Sequence, residues 1–340
     1  MNQKTSLLTA LLAAGFCATA AHGSLIAFDP FHTTTSSEGA DPANGLYFSN
    51  VNGANGALGS TENLNTSGGN IVGFGSQPWL DNVTTFRLQS SRLGTASRTE
   101  LDNGAVRVLN FRGSGGPSTT FRTAHRDLDA YAPSQTYYMS SEMQLFTEAS
   151  GHQANAFLML GFGNDTITDS SVMDAASSSL FEGLMWGFRA NAAGDQIDLV
   201  ARATTDAATN TISDFVLLEN VPQQQTLFIA ARVDVNESGE DTVTVWLDPD
   251  FSLTDPTGGI TFNAEAFSST ASITRFATLQ QGLLHTGGAG STNRVGYFDG
   301  IALGTTYASV VPEPSTYALI LGGVFLLVAA GTRLRRRNQS

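Results

Sequence analysis

The segments Thr226-Leu-Phe-Ile-Ala-Ala-Arg-Val-Asp-Val235 and Asp241-Thr-Val-Thr-Val-Trp-Leu247 decide the fold class of this 340-residue chain. They flank Asn236-Glu-Ser-Gly-Glu240, a run of turn-forming residues, so the sequence predicts a β-hairpin. Successive side chains of a strand point to opposite faces of the sheet. The second segment should therefore present one row of side chains to each face of its sheet. Val243, Val245 and Leu247 would face one way, and Thr242, Thr244 and Trp246 the other, with either side able to face the interior.

Similar segments recur along the chain between clusters of Gly, Ser, Thr and Asn. Residues 156–162 are continuously apolar, as expected of a central strand that is covered on both faces. Before the C-terminal thirty residues, no stretch keeps a helical period for more than about three turns. The sequence therefore predicts an all-β fold, with short strands joined by hairpins into a two-sheet sandwich. Further predicted strands are 137–146, 184–189, 196–202 and 295–303. The loop Asn191-Ala-Ala-Gly194 between the second and third of these predicts another hairpin.

The N-terminal 23 residues are typical of a secretory signal peptide. Lys4 supplies the positive charge, and residues 7–17 form an apolar stretch. Small residues allow cleavage before Ala21 or before Ser24, and we favour Ser24 because a predicted strand starts at the next residue. Phe16 precedes Cys17, the only cysteine, whereas a lipoprotein signal has a small residue there. The mature chain would then contain no cysteine, which excludes disulfides and thiolate metal sites.

The C-terminal residues 310–340 contain three consecutive signals. Pro312, Glu313 and Pro314 hold the backbone extended and prevent a helix. An apolar run without charge follows from Tyr317 to Gly331 and is long enough to approach the lower limit for a membrane span. Four arginines then form a cluster that should stay on the cytoplasmic side. These cytoplasmic anchors are Arg333, Arg335, Arg336 and Arg337.

This order of Pro-Glu-Pro, apolar helix and arginine cluster resembles the PEP-CTERM sorting tail of exported bacterial proteins. The resemblance covers about 30 of the 340 residues. It implies a precursor that is anchored in the inner membrane, an exosortase-type sorting peptidase as partner, and delivery to the cell envelope or extracellular matrix. An ordinary C-terminal anchor with a proline linker is the alternative.

Removing both terminal segments leaves 12 basic and 29 acidic side chains, a net charge of about −17, and no lysine. Such a surface repels nucleic acid and other polyanions, so nucleic-acid binding is excluded as a function. About 285 residues remain, which is enough for a large core.

Three stretches of the region 24–309 resemble concanavalin A-like (laminin-G-like) jelly-roll domains. They are residues 25–31 at the mature start, residues 241–249 with their Asp-Pro turn, and residues 298–309 before the tail. The resemblance implies one jelly-roll sandwich domain over 24–309, with a polysaccharide as a candidate ligand.

Catalytic motifs are not found in the sequence. Glucanases on this fold place Glu-x-Asp-x-x-Glu on one strand, and nothing here matches it. Glu142 and Glu148 would lie about 20 Å apart along a strand, beyond the ~5–9.5 Å of a glycosidase pair. The four histidines of the mature chain are dispersed, and no zinc, nucleotide or serine-hydrolase motif occurs. The sequence therefore indicates a non-catalytic protein.

Two kinds of ligand contact remain open in the sequence. Trp79 and Trp246 are candidates for stacking on a glycan, although a tryptophan is more often structural. Acidic loops at 164–174 and 248–255 could offer carboxylates to Ca²⁺, but Asp and Asn are also ordinary turn residues. We assign no metal ligand and no cofactor.

The prediction is thus an exported, non-catalytic surface or matrix protein that binds polysaccharide. The alternatives are a carbohydrate-active enzyme on a concanavalin A-like fold and a purely structural or adhesive matrix protein.

Overall fold

The computed structural model describes the greater part of the chain between residues 24 and 311. The described residues are 24–29, 32–34, 46–48, 73–74, 80–81, 86–89, 105–109, 122–131, 136–145, 153–168, 181–209, 211–223, 225–236, 239–253, 255–267, 272–281 and 294–311. The predicted signal peptide, the Pro-Glu-Pro motif and the arginine cluster lie outside these residues. Within them, no helix is long and apolar enough to cross a membrane.

The described residues are mostly β-strands, as predicted. The strands are β1 Leu25–Asp29, β2 His32–Thr34, β3 Leu46–Phe48, β4 Leu80–Asp81, β5 Phe86–Gln89, β6 Ala105–Leu109, β7 Arg122–Tyr131, β8 Thr136–Leu145, β9 Phe157–Gly163, β10 Gly183–Ala190, β11 Ile197–Asp206, β12 Thr211–Leu218, β13 Thr226–Asp234, β14 Asp241–Leu247, β15 Ile260–Ala264, β16 Ile273–Gln281 and β17 Arg294–Gly304. A 3-10 turn covers Asp165–Thr168, and the one-turn helix α1 covers Tyr307–Val310.

Two antiparallel sheets contain nearly all of these strands. The first sheet has the order β15-β14-β13-β8-β17-β6-β5, with β1 also paired to β17. The second sheet has the order β12-β11-β10-β9-β16-β7-β4. The strands β2 and β3 form a small parallel pair of their own. Both predicted hairpins, β10–β11 and β13–β14, are confirmed, because each joins strands that are adjacent in sequence.

One apolar core lies between the two sheets and takes side chains from both. The predicted alternation of β14 is confirmed, because Val243 and Val245 are buried in this core. The prediction for residues 156–162 is also confirmed, since every residue of β9 is buried and β9 is the central strand of the second sheet. This face-to-face burial makes the domain a β-sandwich.

Two polar contacts cross the interior and tie the sheets together. The Trp186 indole N–H donates a 2.8 Å hydrogen bond to the Ser141 hydroxyl. The Arg126 guanidinium lies 3.3 Å from the Asp29 carboxylate, and both side chains are 0% exposed. Arg126 also lies over the ring of Phe74, 5.0 Å from its centroid. A buried charge is costly unless it is paired, so both members of the ion pair are needed together.

Candidate functional site

The two ends of the described fold meet beside the point where the predicted sorting tail begins. Ser24 N–H donates to the Thr305 hydroxyl at 3.0 Å, and Thr305 N–H donates to the Ser24 carbonyl at 3.1 Å. The chain then forms α1 and reaches Val311, the last described residue before Pro312. We call residues 305–311 the C-terminal strap. No folded segment separates this strap from the Pro-Glu-Pro motif.

The C-terminal strap packs on the outer face of the first sheet, opposite the main core. Tyr307 and Val310 are fully buried there, and Val311 is nearly so. The Tyr307 ring meets Trp246 edge-on at 6.1 Å between centroids, and Tyr138 at 6.4 Å. The seat of the strap is a second apolar cluster on this sheet. It comprises Tyr138, Phe228, Ala230, Trp246 and Ala302, with Phe28 and Phe251 at its margin.

Hydrogen bonds hold the strap in addition to its apolar contacts. The Ser140 hydroxyl, on the outer face of β8, donates to the Val310 carbonyl. Within the strap, Val311 N–H donates to the Tyr307 carbonyl at 3.2 Å. Val311 itself is extended, at φ −91° and ψ 154°, as expected of a residue before proline.

The seat also buries polar atoms that are not hydrogen-bonded. Neither the Trp246 indole N–H nor the Tyr307 hydroxyl has a hydrogen-bond partner within the described part of the chain. Burial, with a smaller contribution from the negative charge of Asp250, raises the pKa of the Tyr307 hydroxyl well above its usual range. Such atoms are costly to bury, so they weaken the docking of the strap.

The tryptophans proposed for glycan stacking have different outcomes. Trp246 points away from Val243 and Val245, as the alternation predicted, and this side is the outer face of the sheet. It is only 6% exposed because the strap covers it. A sugar can stack on this ring only if the strap leaves. Trp79 lies outside the described residues, so its role stays a prediction. Trp186 is a core residue.

The outer face of the second sheet carries an ion cluster that the sequence did not indicate. Asp214 of β12 accepts hydrogen bonds from Arg202 Nε at 2.5 Å and from Arg189 Nη1 at 2.6 Å. Arg202 also lies over Phe157, 5.0 Å from the ring centroid. Burial alone would raise the pKa of Asp214, but hydrogen bonds and charge from the two arginines outweigh it, and the pKa is lowered. Arg189 is the most exposed of the three, with 27% of its side chain accessible.

A histidine lies near the opposite edge of this sheet, on the strand next to β4. His125 of β7 is half-buried, and its Nδ1 has no hydrogen-bond partner in the residues that the structure describes. Its neighbours include Arg275 and Asp127, which are joined by a 2.7 Å hydrogen bond from Arg275 Nε. Burial and then the charge of Arg275 lower the pKa of His125 to about 4, against a smaller opposing effect of Asp127.

We expect His125 to make the stability of the fold depend on pH. Because the pKa is lowered on folding, the stabilising contribution is complete above about pH 6.5 and is lost as the pH falls toward about 4. Urea denaturation from pH 7 to pH 5 should therefore show a falling free energy of unfolding. His125→Gln should flatten that slope relative to the wild type. Equal slopes for the two proteins would contradict the expectation.

Two carboxylates face each other on the outer side of the first sheet. Asp299 of β17 is the register partner of Glu142 of β8, where a bulge follows and Gly300 adopts a positive φ of 53°. Directly opposed residues of this kind have side chains close enough for an acid pair. However, Glu142 and Asp299 are only 4% and 5% exposed, so they do not line an open cleft in this structure.

The acidic loops contain turn-capping side chains. Asp250 accepts hydrogen bonds from the backbone and hydroxyl of Ser252, and Asp248 accepts one from Phe228 N–H. Asp255 accepts a hydrogen bond from Arg232 at 3.2 Å. Among the described residues, no group of three or more His, Cys, Asp or Glu side chains could hold a metal ion. The other loop, 164–174, is described only as far as residue 168.

Comparisons with known proteins find similarity of structure only. No protein family model matches the chain, and no curated protein matches its sequence. An endo-β-1,4-glucuronan lyase from the fungus Trichoderma reesei is similar with a TM-score of 0.39 and 11% identity over 66% of this chain and 93% of that one. The metal-free carbohydrate recognition domain of Emp46p gives a TM-score of 0.36 and 12% identity over 64% and 87% of the two chains. The alginate lyase vAL-1 from Chlorella virus gives 0.34 and 10% over 65% and 93%.

Proposed function

We propose that this chain is an exported, non-catalytic protein of the cell surface or extracellular matrix, delivered there by a PEP-CTERM-type sorting tail. The observation that carries the proposal is that α1, the last structural element of the domain, ends at Val310, two residues before Pro312 of the motif. Removing the tail at or after the motif would therefore leave the sandwich whole. In the anchored precursor, residues 312–316 would be the only link between the domain and the apolar run.

The partner in this proposal is an exosortase-type peptidase in the inner membrane. It breaks one peptide bond of the tail, and the acyl group passes to water or to an amine of the envelope. The protein then reaches the envelope or the matrix. The charge of about −17 suits such a destination, because it keeps the released domain soluble and apart from nucleic acid.

We expect a double substitution, Pro312→Ala with Pro314→Ala, to abolish tail removal and to leave the precursor in the membrane fraction. The full chain would be produced in a host that has a matching sorting peptidase, and its C-terminus followed by mass spectrometry. Arg333→Lys, which keeps the positive charge, is the matched control and should be processed normally. Normal processing of the double proline variant would refute the sorting proposal.

Polysaccharide binding is the second part of the proposal, and the cluster of Arg189, Arg202 and Asp214 favours the outer face of the second sheet as its site. Guanidinium and carboxylate groups beside an aromatic ring are the groups that hydrogen-bond and pack against sugars. Trp246 is a less favourable anchor while the strap covers it. In the alternative of a carbohydrate-active enzyme, Glu142 and Asp299 would be the catalytic carboxylate pair, and substituting Glu142 tests that alternative.

Arg189→Ala should weaken retention of the tail-processed protein on a panel of immobilised matrix and algal polysaccharides by about tenfold or more, which corresponds to ~1.4 kcal/mol. Arg232→Ala on the opposite sheet is the matched control and should bind normally. Binding would be measured with calcium and then with chelator, which also tests the acidic loops. No retention by any polysaccharide would leave the structural alternative, and depolymerisation that Glu142→Gln abolishes would establish the enzyme.

A further inference from the structure

The C-terminal strap places folded, buried chain directly before the motif that a sorting peptidase would read. The last three residues of the strap are Ser309, Val310 and Val311, and the latter two are buried against the outer face of the first sheet. The strap helix is closed by the hydrogen bond from Val311 N–H to the Tyr307 carbonyl. Peptidases that recognise linear motifs bind several residues in an extended form. In the docked strap, Tyr307–Val310 are helical, so no extended residue directly precedes Val311.

We propose that the C-terminal strap is a latch: in its docked form the residues directly before the Pro-Glu-Pro motif are buried on the first sheet, and the strap must undock before a sorting peptidase can bind these residues together with the motif. The inference rests on the proposed function, since it concerns the same tail. Only the undocked form would be a substrate, so the processing rate would scale with the fraction of molecules in that form.

The composition of the latch interface is suited to release. The strap is one helical turn, and such short helices gain their stability from packing rather than from their own hydrogen bonds. Its packing is apolar, through Tyr307, Val310 and Val311, but the same interface buries the Tyr307 hydroxyl and the Trp246 indole N–H without partners in the described chain. Unsatisfied buried groups oppose docking. The unsatisfied polar groups therefore offset part of the favourable free energy of apolar packing. This reduces the free-energy difference between the docked and undocked forms of the strap.

Removing the hydroxyl of Tyr307 should strengthen the docking of the strap, whereas the other substitutions should weaken it. Tyr307→Phe removes the buried hydroxyl and keeps the ring contacts with Trp246 and Tyr138. The latch should then bind more tightly, and processing should become slower. Tyr307→Ala removes the ring, and Ser140→Ala removes the hydrogen bond to the Val310 carbonyl. Both of these changes should loosen the latch and speed processing.

The test follows tail removal from the full chain in a host with a matching sorting peptidase, by pulse labelling and mass spectrometry of the C-terminus. Inserting five Gly and Ser residues between Val311 and Pro312 leaves the seat untouched and separates the motif from the docked strap. We expect the insertion and Tyr307→Ala to raise the initial rate about three- to tenfold, and Tyr307→Phe to lower it. Fluorescence of Trp246 would report undocking independently, because its spectrum should shift to the red in Tyr307→Ala.

The outcomes separate the latch from the sorting proposal. If Pro312→Ala with Pro314→Ala is processed normally, the sorting proposal fails and the latch fails with it. If those substitutions block processing while the insertion and Tyr307→Phe leave the rate unchanged, only the latch is overturned. Thermal unfolding of each variant shows whether the sandwich is intact. Should Tyr307→Ala fail to fold, the insertion, Ser140→Ala and Tyr307→Phe still decide the question.

Discussion

Replacing Asp29 by alanine should lower the free energy of unfolding by about 3–5 kcal/mol. The Arg126 guanidinium lies between the sheets with no solvent exposure, and Asp29 is an ion-pair partner at 3.3 Å. In the variant that charge stays buried without this carboxylate. Its contact with the ring of Phe74 remains but supplies no counter-charge. Urea denaturation of the tail-processed protein, monitored by circular dichroism, would measure the loss.

The double variant Asp29→Leu with Arg126→Met is the control for this prediction. It removes both charges and keeps apolar volume, and such replacements of buried ion pairs are often neutral or stabilising. We therefore expect the double variant to be more stable than Asp29→Ala. A loss below about 1 kcal/mol for Asp29→Ala would show that the ion pair is not what compensates the buried guanidinium.

Trp186→Ala should cost about 3–5 kcal/mol, as expected when a large buried aromatic side chain is truncated and leaves a cavity. Among the residues that the structure describes, Trp186 is the largest fully buried side chain, and it belongs to the main core. It also donates the 2.8 Å hydrogen bond that links the second sheet to Ser141 of the first. The substitution therefore removes apolar packing and a contact across the sandwich together.

The two contributions of Trp186 can be separated by smaller changes. Trp186→Phe keeps much of the ring but leaves the Ser141 hydroxyl without its indole donor, and should cost about 1–3 kcal/mol. Adding Ser141→Ala to Trp186→Phe removes that buried hydroxyl and should recover part of the loss. Denaturation of the three variants under one set of conditions would measure the coupling. A double variant less stable than Trp186→Phe would refute the role given to the hydrogen bond.

The local features of the fold were predictable from the sequence because they depend on neighbouring residues. Both hairpins and the alternation of β14 follow from turn residues and a period of two. The cover over Trp246 was not predictable, since it comes from the strap some sixty residues further on. The sequence indicates which face a side chain takes, but not which distant segment packs on that face.

The candidate sites were missed for a related reason. Spacing along one strand suggested comparing Glu142 with Glu148, whereas the register of two strands places Asp299 opposite Glu142. Arg202 and Asp214 are also register partners, on β11 and β12. Residues 207–209 form a turn between these two strands, and a hairpin loop at that place predicts the pair. The opposition of Glu142 and Asp299 has no comparable local signal, because their strands are far apart in sequence.

The pairing of β1 with β17 sets the order in which the domain can assemble. Ser24 and Thr305 are hydrogen-bonded to each other although they are 281 residues apart. The strand β1 therefore cannot pair until β17 has been synthesised. Until β17 arrives, β8 lacks one of its two neighbours, and the first sheet is split. Contacts of such long range make folding slow. An unfinished chain therefore displays unpaired strand edges, which other chains can join until synthesis of the last strand is complete.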